Sequence, residues 1–278
     1  MFLRAILAAA AASLSLLACV PAAGRKADAP RRIVSLDYCA DQYVLKFADR
    51  EDILALSPDA EKRYSYMRAE AAGIPTVRPR TADVLVLQPD LVVRTYGGGH
   101  DIANFMEKPG VPVLQIGFPQ TLAEVREEVL RAGIALGKPE KARELVADMD
   151  RRLETLARRG MPRKTVLYMT PAGVTTGEGT LVHELFEAAG VENFQMQPGW
   201  NPLPLERLAY EKPDMVAASF FESETNHVDN WSAARHPVAR AQLRELPVVP
   251  LEGAWTACGG WFVLDAVEAL ANAAEKAS

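Results

Sequence analysis

The chain has 278 residues, 49% of them hydrophobic and 24% charged, with a formal net charge of -5. That length allows one large domain or two lobes, each able to bury its own core. The apolar fraction excludes a disordered chain, and the steady recurrence of charge excludes a multi-span membrane protein. No Lys/Arg cluster is long enough to track a phosphate backbone, which argues against a nucleic-acid partner, and three cysteines are too few for a disulfide-built scaffold.

Arg4 precedes an apolar run over residues 5–18, which is too short to span a bilayer and suits the core of an export signal. The run closes on Leu16-Leu17-Ala18-Cys19, which resembles the lipobox of bacterial lipoproteins, cut before the Cys and acylated on it, although Leu17 is bulkier than the residue usual there. Ordinary cleavage after Ala22, following Val20-Pro21-Ala22, is the alternative. Residues 1–18 are therefore expected to be a signal peptide with Cys19 as the lipidation site, and residues 19–31 a tether rich in Ala, Gly and Pro. A periplasmic protein is expected, lipid-anchored if Cys19 is acylated.

From residue 32 onward short apolar β-like runs alternate with helical ones, the pattern of an α/β fold with largely parallel strands. Residues 33–36 predict a first strand, and Asp37 is a good N-cap for a helix over 38–48. Further strands are predicted at 53–56, 91–94 and 111–115, with a short helix over 81–88 stopped by Pro89. Between 121 and 159 there is no strand signal, and Gly137-Lys138-Pro139 marks one break. Ala142, Leu145, Val146, Met149, Leu153 and Leu156 then share one face of a helix over 139–159, roughly 30 Å long. Its position between two α/β halves predicts a rigid connector. The second half offers strands at 165–169, 215–218 and 247–251, and helices at 181–189 and 261–276. The expected organisation is an N-terminal lobe (32–120), connecting helices (121–160) and a C-terminal lobe (161–278). The halves also share a pattern aligned on Pro89-Asp90 and Pro213-Asp214, a short helix halted at Pro and a strand begun after Asp.

Export, tether, two α/β lobes and a helical connector together resemble class III periplasmic solute-binding proteins of ABC importers, in particular the group that captures ferric siderophores, haem or cobalamin. The residues that carry the resemblance are Arg32-Ile33-Val34-Ser35-Leu36, Leu87-Gln88-Pro89-Asp90-Leu91-Val92-Val93, Leu205-Glu206-Arg207-Leu208 and Lys212-Pro213-Asp214. It implies two similar lobes with largely parallel sheets joined by a long central α-helix, and a ligand cleft that closes only slightly. It further implies a surface carboxylate on each lobe that meets arginines of the membrane permease. Glu206, eight residues before Asp214, matches that position; the first-lobe equivalent is Ala82, with Asp83 beside it as the substitute. For Glu206 the alternative is a helix N-terminal acid favoured by the macrodipole.

In open α/β sheets ligands bind outside the carboxyl ends of the strands. Just past the predicted strands of the first lobe lie Asp37, Tyr38 and Cys39, then Tyr64 and Tyr66, then Tyr96, Gly97 and His100. In the second lobe the corresponding stretches hold Thr176, Trp200, Phe220-Phe221, and Trp255 through Cys258 to Trp261. Flat aromatic faces with polar edges suit a large, partly apolar ligand such as a corrin, a porphyrin or an aryl siderophore, while each ring taken singly is equally a core residue with a satisfied polar tip. Arg63, Arg68, Arg80 and Arg94 are candidates to meet an anionic ferric chelate. Cys39 and Cys258 form an interlobe disulfide, as an oxidising compartment favours, remain free thiols in the cleft, or are buried apart.

Other motifs fail. Gly97-Gly98-Gly99 lacks the rest of a phosphate loop, so these glycines are expected to turn the backbone closely beneath a ligand. His183-Glu184-Leu185-Phe186-Glu187 lacks a zincin's second His, and His100, His227 and His236 lack zinc-site spacing; His100 remains a candidate axial ligand were the cargo haem. No metal site or cofactor is assigned. The leading expectation is a monomeric, non-enzymatic binding protein that delivers an iron chelate or a corrinoid to an ABC permease in the inner membrane. The alternatives are an exported redox or metal-dependent enzyme using Cys39 and Cys258, and a structural lipoprotein.

Overall fold

The computed structural model describes residues 30–160, 163–221 and 232–276; the expected signal peptide, Cys19, nearly all of the tether and His227 lie outside them. In chain order the first half contains β1 (Ile33–Ser35), α1 (Tyr38–Phe47), β2 (Ile53–Ala55), α2 (Arg68–Ala71), α3 (Thr81–Val86), β3 (Leu91–Arg94), α4 (Ile102–Glu107) and β4 (Val113–Gln115). Two helices follow, α5 (Leu122–Ala135) and α6 (Pro139–Ala157). The second half contains β5 (Thr165–Met169), β6 (Val174–Thr176), α7 (Leu181–Ala188), β7 (Glu192–Asn193), β8 (Trp200–Pro202), α8 (Leu205–Leu208), β9 (Met215–Ser219), α9 (Pro237–Glu245), β10 (Val248–Leu251), α10 (Gly253–Thr256) and α11 (Val263–Lys276).

The two main sheets are parallel and share one topology. Their orders, β2-β1-β3-β4 and β10-β9-β5-β7, superpose when β1 is matched to β5, β2 to β7, β3 to β9 and β4 to β10. The repeated Pro-Asp has a structural reason in both. Asp90 accepts from the Arg31 and Arg32 amides at 2.9 and 3.0 Å, and its own N–H reaches Arg32 O. Asp214 accepts from the Thr165 amide and hydroxyl at 2.7 and 2.9 Å, and its N–H reaches Thr165 O. Each Asp therefore pins the start of the neighbouring strand in register. Those bonds to Thr165 hold the Asp214 carboxyl below the usual carboxylate range.

Strand alternation assigns the two faces of each sheet. Ile33 and Val93 of the first sheet, with Val166 and Tyr168 of the second, join α1, α5, α6 and α11 in one core that spans both lobes. The opposite faces bury separate cores, Val34 and Val92 with Ile102 and Met106 in one lobe, Leu167 and Val216 with Leu208 and Ala239 in the other. The connection is thus a pair of helices. Ala142, Met149 and Leu156 of α6 are buried in the shared core, with Leu145, Val146 and Leu153 packed against it, which is the face read from the periodicity. Arg126 of α5 bonds Asp150 of α6 at 2.6 Å, and Arg152 of α6 bonds Asp265 and Glu268 of α11 at 2.6 and 2.7 Å, fastening α6 on both sides.

Two differences from expectation have local causes. The helix predicted over 81–88 ends at Val86, because residues before a proline are pushed out of helical conformation; Gln88 takes φ +50° instead. Thr175 and Thr176, expected in a loop, form β6, which pairs antiparallel with β8 so that Thr176 faces Trp200.

Candidate functional site

The first turn of α1 builds one wall of the interlobe cleft. Asp37 caps the helix, its Oδ1 accepting from the Ala40 amide at 3.0 Å, while Oδ2 accepts from the amides of Thr95, Tyr96 and Gly97 at 2.7, 3.0 and 2.8 Å. One turn on, Asp41 accepts from the Ser57 amide and hydroxyl, and Gln42 binds Ser65 Oγ and the Met67 amide. These three side chains draw the loops after β2 and β3 against α1. The result is a cluster in which the Tyr38 ring lies 4.8 Å from Tyr64 and 6.1 Å from Tyr96, each edge to face. Burial raises all three phenols above their ordinary range, Tyr64 to about 12, with Asp59 adding to the effect on each and Asp37 to that on Tyr38 and Tyr96. At neutral pH the phenols are therefore protonated, with Tyr64 hydrogen-bonded to Asp59 and Tyr96 to Tyr38.

Beside this wall the lobes are stitched together. Cys39 and Cys258 are joined in a disulfide, with Cα atoms 5.5 Å apart. The Tyr43 hydroxyl donates to Gly259 O at 2.8 Å, and Trp261 meets Tyr43, Phe47 and Tyr66 edge to face. A cavity of 220 Å³ opens at the bridge. Its walls include Cys39, Thr95 and Phe118 from the first lobe and Leu181, Trp200 and Cys258 from the second. Phe118 and Trp200 are both well exposed, one from each side. A larger hollow of 570 Å³ beside Arg31, Asp90 and Pro112 lies at the amino ends of the strands, away from the edge where α/β sheets bind ligands.

Several residues expected to touch a ligand have other work. The carboxylate of Asp37 is buried and committed to four backbone amides, so it positions Tyr96. Gly97 approaches the protein's own backbone: a Cβ there would lie 2.3 Å from Leu36 O. Thr176 is fully buried and its hydroxyl donates to Thr180 Oγ1 at 2.7 Å. Tyr66 lies in the seam, its hydroxyl donating to Asp265 at 2.8 Å and its ring stacked 4.6 Å from Phe262. Cys39 and Cys258 offer no thiol, which removes the free-thiol and separate-burial alternatives together with the nucleophile of the enzyme reading. Trp255 is half-buried against the shared core and sits one residue before the stretch from Thr256 to Gly259 that lines the cavity. Among the candidate arginines, Arg68 pairs with Glu252 at 3.8 Å and Arg80 is exposed before α3. His100 is an exposed loop residue beside Asp101, 3.1 Å away.

Residues 33–230 match the model of a family described as periplasmic binding protein. The chain belongs to that family. Its members are non-catalytic binding proteins. No curated protein matches the chain. Among solved structures, a possible iron-binding (periplasmic solute-binding) protein from Staphylococcus epidermidis is 16% identical with a TM-score of 0.70, covering 88% of this chain and 98% of that one. The periplasmic heme-binding protein RhuT from Roseiflexus is 22% identical at TM-score 0.67, covering 88% and 99%. The periplasmic vitamin B12 binding protein BtuF of Vibrio cholerae is 19% identical at TM-score 0.64, covering 89% and 98%. At these identities the likeness is one of fold. No helix among the described residues is long and apolar enough to cross a membrane.

Two features of this periplasmic binding protein escaped sequence reasoning although a signal was present. Phe118 and Pro119 follow β4, at the same carboxyl edge that directs attention to Tyr38 and Tyr96. The Pro-Asp repeat also runs on into the site: five residues after each Asp stands a hydroxyl followed by an aromatic, Thr95-Tyr96 after β3 and Ser219-Phe220 ending β9. Phe220 holds φ +65°, a left-handed conformation that costs a non-glycine residue about 1–2 kcal/mol.

Proposed function

We propose that the protein captures an iron complex or a corrinoid such as cobalamin in the interlobe cleft and delivers it to an ABC permease in the inner membrane. The observation that carries this reading is a cavity at the disulfide lined by Phe118 of one lobe and Trp200 of the other, with the Tyr38, Tyr64 and Tyr96 cluster built on the neighbours in sequence of its lining residues Cys39 and Thr95. A hollow of 220 Å³ is below the range usual for a whole ligand site, about 300–1,000 Å³, so the cargo extends from it over the exposed rims of Tyr96, Phe118 and Trp200. Flat rings with hydroxyl donors fit a macrocycle or an aryl chelate. The fold is that of proteins described as haem-, vitamin B12- and Fe3+-hydroxamate-related, which supports the same cargo range.

Docking follows from the pseudo-symmetry. Asp83 stands in the first turn of α3 and Glu206 in the first turn of α8, on equivalent helices of the two lobes. Val86, which ends α3, and Tyr210, two residues past α8, each stand three residues before the repeated Pro and are 81% and 91% exposed. A partner made of two identical subunits would meet both patches at once. Cleavage before Cys19 and its acylation would leave the protein tethered in the periplasm, whereas cleavage after Ala22 would leave it free there.

The test is titration of residues 20–278 with cobalamin, haemin and a set of ferric chelates, read by tryptophan fluorescence. Saturable submicromolar quenching by one cargo, reduced in Trp200→Phe, is the expected result. Flat titrations across the whole set would overturn the reading.

A further inference from the structure

The Cys39–Cys258 bridge occupies a place that its role as an interlobe tie does not require. Both cysteines are nearly closed to water, at 6% and 9% exposure, and both pack into the core shared by the lobes. Both also line the 220 Å³ cavity, with Thr95, Thr256, Ala257 and Gly259 around them, so the bond forms a strip of the cavity wall. The seam beside it is shut. The Tyr43 hydroxyl holds Gly259 O at 2.8 Å, and Gly259 is pressed against the loop after β4 so closely that a Cβ there would lie 2.2 Å from Pro119 Cγ. The cavity also holds Phe118 and Trp200, both well exposed. The approach to the sulfur atoms in the folded protein therefore runs through the cavity, past these two rings.

Thiol–disulfide exchange begins when a nucleophile reaches one sulfur of the bond, so its rate depends on access. We propose that the bridge is a reduction site gated by cargo: a small thiol or phosphine reaches it through the cavity of the empty protein, and a cargo seated in the cavity covers it. Two molecules of thiol supply two electrons and become a disulfide, their protons passing to the sulfurs of Cys39 and Cys258. A phosphine supplies the same electron pair and is left as its oxide, with water giving the oxygen and both protons. The redox state of the bridge then records occupancy, because the empty protein is the one that a reductant unfastens. This inference rests on the proposed binding function for what fills the cavity, and on the geometry alone for the route to the sulfurs.

The test follows the appearance of thiols in folded residues 20–278 by alkylation and mass. The probe is a neutral trialkylphosphine, matched to a cavity that no charged side chain lines among the described residues. Without cargo, the rate is expected to be proportional to phosphine concentration and nearly indifferent to dilute urea. It is expected to rise several-fold in Phe118→Ala, which widens the cavity mouth, and to stay unchanged in Ile134→Ala, a similarly exposed residue outside the cavity. A rate that climbs about fivefold or more per molar urea would mean that the bridge is reached only by unfolding, and would overturn the proposal. The cargo probes are cyanocobalamin, gallium protoporphyrin and gallium citrate, gallium standing in for an iron that the phosphine could reduce. A probe that quenches tryptophan emission saturably is expected to slow thiol release at least tenfold at saturation. A probe that binds without slowing it would leave the transport reading standing and overturn this one. Should none of these probes bind, the cargo-free rates decide this inference: Phe118→Ala faster than wild type sustains the route through the cavity, and equal rates overturn it. The iron-loaded set above decides the transport reading separately.

Discussion

Reducing the Cys39–Cys258 bridge is the most direct test of how the lobes are held. The bond joins residues 219 apart in sequence, and the chain-entropy relation gives about 5 kcal/mol for closing a loop of that length in the unfolded state, within an observed range of about 2–5 kcal/mol for native bridges. The folded state has other ties at the same seam. The Tyr43 hydroxyl holds Gly259 O, Tyr66 holds Asp265, and the Trp261 ring is packed among Tyr43, Phe47 and Tyr66. The reduced protein is therefore expected to keep its native structure and to lose stability chiefly through a freer unfolded chain. Equilibrium urea unfolding of residues 20–278, which contain no other cysteine, would be followed by tryptophan emission with and without a phosphine reductant. Reduction leaves both sulfur atoms in place, so the difference reports the cross-link alone. A drop of about 2–5 kcal/mol with unchanged native emission is expected. A drop under about 1 kcal/mol, or loss of native emission before any urea is added, would refute the reasoning.

Three further outcomes are expected. Burial raises the Asp41 carboxyl to about 6, against its hydrogen bonds from Ser35 and Ser57. A native state that holds this proton more tightly than the unfolded chain is favoured below pH 3.8, and the advantage disappears as pH rises through 6. The group thus removes on the order of 3 kcal/mol across that window, and stability measured from pH 4 to 7 should decline less in Asp41→Asn; parallel curves would contradict the assignment. Asp37→Ala frees four buried amides and should destabilise by at least about 3 kcal/mol, with Tyr96 released from Tyr38; a loss within about 1 kcal/mol in urea unfolding would show that the loop holds itself. Gly97→Ala drives a methyl into Leu36 O and should cost about 1–3 kcal/mol or more, and a neutral melting temperature would place the loop elsewhere.

The core shared by the two lobes bears on these measurements. Because Val93, Val166, Met149 and Val267 belong to one buried cluster, the lobes are expected to unfold together in a single transition. The same continuity, with α6 bonded to α5 and α11, is expected to limit how far the walls of the cleft move relative to each other.

Much of this fold follows from local chemistry. The strands at Leu91–Arg94 and Thr165–Met169 stand where apolar β-like runs occur, Asp37 caps α1, and the buried face of α6 is the stripe of Ala142, Met149 and Leu156, because periodicity and capping act over a few residues. The rule that ligands meet the carboxyl edges of parallel strands was enough to bring Tyr38, Tyr64, Tyr96 and Trp200 forward. Tertiary structure alone decided the partners. Nothing within reach of Cys39 in sequence names Cys258, and nothing near Asp37 announces that its second oxygen gathers the amides of residues 95–97. Thr176 and Tyr66 carry the same kinds of side chain as Thr95 and Tyr96, yet Thr180 and Asp265 claim their hydroxyls. A short-range signal records what a residue prefers, whereas its contacts depend on which distant segments the packed sheets bring within bonding distance.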